Sequence, residues 1–120
     1  MSDDQVLQPE RRRLPNKGDS ELVTFESLGL KFTASISRYL DGEIGEMFID
    51  PAKPGSTINT LVHDMGIAFS FAVQHGASAA DILRALDCDQ EGRPLSPLGV
   101  ALDLLLKRLP DFDTSRKRLL

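Results

Sequence analysis

Two early stretches of the chain alternate apolar and polar residues one by one. Between 22 and 28, Val23 and Phe25 fall on one side while Thr24 and Glu26 fall on the other. Gly29 then permits a turn. Between 31 and 39, Phe32, Ala34 and Ile36 alternate with Thr33, Ser35 and Ser37. A period of two over this length predicts β-strands with one wetted face. Asp41-Gly42 is a hairpin signal, because both residues tolerate positive φ. A third strand is predicted over 46–50, where Met47, Phe48 and Ile49 are apolar. The three strands form an antiparallel meander.

Pro51 and Pro54 end the sheet, since proline cannot donate to a ladder. Gly55-Ser56 then opens a helix with Ser56 as its N-cap. The period changes to that of a helix, and Ile58, Leu61, Val62, Met65, Ala68, Phe69, Ala72 and Val73 share one face. Gly76 is the expected C-terminal cap. The helix is about 20 residues, or roughly 30 Å. Ile67 and Phe71 break the pattern, lying on the face that also carries Asn59, Thr60, His63 and Gln74. This second apolar spot calls for another helix or another subunit to cover it. Ser78 caps a short helix with Asp81 in its first turn, where an acid suits the helix dipole, and Ile82, Leu83 and Leu86 point inward. A polar loop over 88–95 follows. Ser96-Pro97 starts the last helix, with proline at the first helical position. Leu98, Ala101, Leu102, Leu105, Leu106 and Leu109 form its stripe, and Pro110 ends it.

The predicted fold class is therefore α+β: a three-stranded antiparallel meander packed against one long helix, followed by two shorter helices. The expected organisation is a flexible basic arm over 1–20, a single domain over 21–110 and a charged tail over 111–120. Hydrophobic residues make up 41% and charged residues 27% of the 120, ordinary values for a globular domain. No apolar run reaches the ~18–20 residues that a membrane span needs, and the acidic start is unlike a signal peptide. The single cysteine, Cys88, cannot form an internal disulfide or a thiolate zinc site. A cytoplasmic location without membrane contact is expected. The net charge of −4 does not favour nucleic acid. The charge is uneven, with Arg11, Arg12, Arg13 and Lys17 near the start and Arg116, Lys117 and Arg118 near the end. Binding of nucleic acid through these basic arms is the weaker reading, because no set of aromatic stacking residues accompanies them.

Few residues offer chemistry. His63 and His75 lie on one predicted helix, roughly 18 Å apart along its axis and about 120° apart in direction, so they cannot share a metal within a chain. Cys88 sits between Asp87 and Asp89, which disfavour the thiolate. Asp41, Glu43, Glu46 and Asp50 cluster near the hairpin without the spacing of a calcium loop, and read as a solvated turn. No catalytic set, cofactor or metal is expected. The best small site is Lys53 with Gly55 and Ser56: a glycine before a helix start, free N–H groups and one cation suit a phosphate or nucleotide anion. Helix capping alone is the plainer account of the same residues.

Glu43-Ile44-Gly45-Glu46-Met47-Phe48-Ile49 with Lys53-Pro54-Gly55-Ser56, and the later run from Ile67 to Ser78, resemble the TSCPD domain. That domain is found near the C-terminus of adenosylcobalamin-dependent (class II) ribonucleotide reductases and as short separate proteins. Its strand carries a Gly-Glu-(Ile/Met)-Phe-Ile pattern, its helix starts at Lys-x-Gly-Ser, and its helix closes with a Ser-x-Ala-x-Gln-(Tyr/His)-Gly type of ending. Arg13-Leu14-Pro15 resembles the segment leading into the domain, and Pro94-Leu95-Ser96-Pro97 its later part. The reductase's catalytic barrel and redox-active cysteine pair have no counterpart here, nor does the cysteine motif that names the domain. The resemblance thus implies a separate accessory or binding domain linked to deoxyribonucleotide synthesis, with a reductase or another protein as partner. The alternative is a homodimeric interaction module unrelated to nucleotides, with Ile67 and Phe71 at its interface. Edge strands and that apolar spot both point to a homodimer.

Overall fold

A computed structural model describes residues 10–14, 20–53 and 57–107. The strands β1 (Ser20–Ser27), β2 (Leu30–Arg38) and β3 (Ile44–Pro51) form an antiparallel sheet in sequence order. Helix α1 (Thr57–Gln74) follows, then α2 (Ala79–Ala85) and α3 (Pro97–Lys107). The expected α+β meander with one long and two shorter helices is the fold found. No helix among the described residues is long and apolar enough to cross a membrane.

Alternation sets the inner face of the sheet. Val23 and Phe25 of β1, Phe32, Ala34 and Ile36 of β2, and Met47 and Ile49 of β3 are buried together with Val62, Phe69, Leu98, Ala101, Leu102 and Leu105 from the helices. Phe32, Ile36, Met47, Ile49, Leu102, Leu105 and Val62 are the largest fully buried side chains. Each contributes about 1.5–3 kcal/mol by leaving water. Ile82, Leu83 and Leu86 pack half-buried against this core, as their spacing predicts.

The tightest turn is not at Asp41-Gly42. It joins β1 to β2 through Leu28 and Gly29, both at positive φ (55° and 77°), the two-residue geometry that matches strand twist. At the second hairpin only Gly42 is left-handed (φ 90°). The β2–β3 register shifts between Ser37 and Arg38, which is why this connection needs a longer loop.

Both caps predicted for the shorter helices form. The Ser78 side chain accepts from Asp81 N–H (3.2 Å), and that of Ser96 from Gly99 N–H (3.1 Å). Gly76, at φ 107°, closes α1: its N–H reaches the Val73 carbonyl and that of Ala77 the Ala72 carbonyl, a Schellman ending. Leu109 and Pro110 lie outside the described residues.

One face was assigned differently by periodicity. Leu61 (57% exposed) and Ala68 face solvent, whereas Gln74 (4%) is buried with Gly66 and Ser70. The reason is where α1 lies. It crosses the outer edge of β3 rather than resting only on the sheet's apolar face. Met47 donates its N–H to Ser70 Oγ (2.9 Å), and Gln74 Nε2 donates to the Gly45 carbonyl (2.8 Å). Among the described residues these strand groups have no fourth strand to bind. A Cβ on Gly66 would fall 2.8 Å from the Met47 carbonyl oxygen, so the helix approaches this closely only because the residue is glycine.

Candidate functional site

Part of the segment expected to be a free arm is held. Arg12 N–H donates to the carbonyl of Gln74 (2.6 Å), one of the groups that a helix end leaves unpaired. Arg11 Nε donates to Gln74 Oε1 (2.6 Å). Tyr39 donates its hydroxyl to the Arg12 carbonyl (2.6 Å), and the Arg12 guanidinium lies 3.6 Å over the Tyr39 ring. Arg12 also pairs with Asp41 (3.0 Å) and Glu43 (3.1 Å). Leu14 is half-buried, and a Cβ on Gly45 would fall 2.6 Å from its Cδ2. Glycine at position 45 therefore makes room for the segment to dock.

These contacts set the local electrostatics. The Asp41 carboxyl is held below the usual carboxylate range by the N–H of Glu43, with Arg12 adding to the effect. The Arg12 guanidinium is raised, chiefly by its bond to Asp41. Burial raises the Tyr39 hydroxyl, with the nearby arginines opposing. The cluster fastens three pieces of chain together: the segment 10–14, the β2–β3 hairpin and the end of α1. Sequence reasoning singled out Arg11 and Arg12 as charge alone. Nothing in their spacing points to Tyr39 or Gln74 as their seats.

Of the anion-site residues, Lys53 is exposed just past β3, while Gly55 and Ser56 lie outside the described residues. Beside β3 and the start of α1 opens a recess of about 520 Å³ lined by Asp50, Pro51, Ala52, Asn59, Thr60, His63 and Asp64. Two carboxylates in its wall oppose a phosphate and suit a hydrogen-bond donor or a cation. The neighbouring positions Asn59, Thr60, His63 and Asp64 could have been read as one end of a helix, but their meeting with Asp50 depends on how α1 crosses β3.

Ile67 (38%) and Phe71 (48%) are exposed on α1, as the broken stripe predicts. Leu61 and Ala68 widen that surface. Arg11 lies 4.8 Å from the centre of the Phe71 ring, and the His75 ring stacks with Phe71 at 6.3 Å between ring centres. His75 also places Nδ1 2.9 Å from the Phe71 carbonyl. His63, by contrast, lines the recess. Cys88 is an exposed free thiol in the loop that bridges back to Pro94. Among the described residues no group of three or more His, Cys, Asp or Glu side chains is placed to hold a metal ion.

The fold and this arrangement define a small α+β domain in which Gly45, Ser70 and Gln74 seat the docked segment and the edge of β3. Its sequence is similar to one region of vitamin B12-dependent ribonucleotide reductases. It is 41% identical over 71 residues to the reductase of Rhodopirellula baltica, 30% over 76 residues to that of Agrobacterium fabrum and 28% over 71 residues to that of Bradyrhizobium diazoefficiens. These matches take in 59%, 63% and 59% of this chain, but only 7%, 6% and 6% of the respective reductases. The resemblance read from the sequence is thus to the right enzymes, and this chain corresponds to a small fraction of their length. No family model and no solved structure matches the chain.

Proposed function

We propose that this chain is an accessory binding domain of ribonucleotide reduction, which acts by contact with a vitamin B12-dependent reductase and has no reaction of its own. The observation that carries this reading is the 41% identity to a region amounting to 7% of such a reductase. A shared region of this size supports a role tied to the same reaction. The motif residues favour binding over chemistry: Gly45, Ser70 and Gln74 seat the docked segment and the sheet edge. Ile67 and Phe71, with Leu61 and Ala68 beside them, supply an apolar helix surface for the contact.

The test is a titration of the chain into a purified vitamin B12-dependent reductase, followed calorimetrically. Saturable binding that Phe71→Glu weakens is the expected result. A heat of dilution alone, with the protein shown folded by circular dichroism, sinks the reading.

A further inference from the structure

We propose that two copies of this chain pair through β1, antiparallel about a two-fold axis at Val23, to form one six-stranded sheet. The inference rests on the sheet alone and is independent of the reductase reading. The two edges of the sheet are treated differently. At β3, Met47 and Gly45 turn peptide groups away from β2, and Ser70 and Gln74 of α1 bind them. At β1, the two-residue turn makes Ser27 and Leu30 the closing pair. A closing pair of this kind is hydrogen-bonded, so Glu21, Val23, Phe25 and Ser27 direct their peptide groups to β2. The alternate residues Ser20, Leu22, Thr24 and Glu26 direct theirs outward, where no hydrogen bond meets them among the described residues.

Glu21 and Glu26 put two carboxylates on this strand, but the stronger devices that blunt an edge are missing from it. It holds no proline, glycine or lysine, and pairs with β2 over all its residues without a bulge. Leu22 is 68% exposed on it. The strand is also complementary to itself. With Val23 on the axis, Leu22 of one copy faces Thr24 of the other, Ser20 faces Glu26, and Glu21 faces Phe25. Every outward peptide group then finds a partner, giving about eight hydrogen bonds at two per hydrogen-bonded pair. No two carboxylates are opposed, and Glu21 keeps its bond to Arg38 within its own copy.

The full chain is examined by sedimentation equilibrium and light scattering, with Thr24→Pro, Leu22→Lys and Phe71→Glu alongside. Thr24→Pro removes an outward N–H and leaves the β1–β2 ladder untouched. Leu22→Lys alters only an exposed side chain, so it decides the matter if the proline variant does not fold. The expected mass for the parent is twice 13.2 kDa. Each β1 variant raises the dissociation constant at least tenfold, Phe71→Glu leaves it unchanged, and the Leu22 and Thr24 amides become protected from exchange as concentration rises. A parent mass of 13.2 kDa at high micromolar concentration overturns the proposal. So does a dimer that is indifferent to Leu22→Lys or is split by Phe71→Glu.

Discussion

Ser70 stands to Met47 as a residue of a neighbouring strand would. Its hydroxyl oxygen accepts from Met47 N–H at 2.9 Å, and its one proton is shared between the carbonyls of Gly66 (2.8 Å) and Met47 (3.2 Å). The pair is buried, so water cannot replace the bond. Ser70→Ala is expected to destabilise the domain by about 1–3 kcal/mol, the cost of stranding a buried donor. Urea unfolding measures this, and faster exchange of the Met47 amide locates it.

Gly66→Ala is expected to cost about 1–3 kcal/mol as well, by overpacking rather than by a lost bond. The added methyl would meet the Met47 carbonyl oxygen at 2.8 Å and the Phe48 Cα at 3.4 Å. Backbone must move to admit it. Since alanine favours helix over glycine by about 1 kcal/mol, an unchanged or raised Tm would show that α1 does not lie against β3 as described.

Gln74→Ala removes three supports at once from one place: the bond to Gly45, the bond from Arg11, and the packing under the docked segment. The Arg12 N–H to Gln74 carbonyl bond is a backbone contact and survives only if the segment stays seated. The expected result is a loss of about 1–3 kcal/mol together with faster exchange at Arg12. Stability loss without any change at Arg12 would separate the sheet edge from the segment.

The pH response follows from Asp41 and Asp89. The carboxyl of Asp41 is lowered by the Glu43 N–H and then by Arg12, and that of Asp89 chiefly by the Arg93 N–H. A carboxyl whose folded pKa lies below its unfolded value stabilises above the ordinary carboxylate range. That contribution fades as pH falls through the folded value. Stability should therefore decline on acidification, and Asp41→Asn should lose its difference from the parent at the acid end. Tm measured against pH for both proteins checks the sign, and a difference that grows toward low pH would contradict it.

Strands, helix starts and both short-helix caps were legible because alternation, serine caps and proline are local signals. Ser78 and Ser96 act where their neighbours alone say they should. The inward set of α1 was less so. Gly66, Ser70 and Gln74 look like poor core residues, and Leu61 and Ala68 look like good ones. Periodicity assumes a helix lying on an apolar face, whereas here much of the buried side meets bare peptide groups of a strand. Polar and glycine residues suit that neighbour. The seating of Arg11 and Arg12 was hidden for a different reason. Its partners come from two distant parts of the chain, Tyr39 beside the β2–β3 hairpin and Phe71 and Gln74 at the end of α1, and only the tertiary arrangement brings them together.

The covering of β3 by α1 has a consequence for stoichiometry. A sheet with two open sides can add copies without limit, and growth then ends in fibres. Here the helix uses up one side, so addition can proceed from the other side only, and a single pairing event exhausts it. In the proposed pairing, the same serine and glutamine that hold α1 in place would act as terminators, keeping the assembly finite.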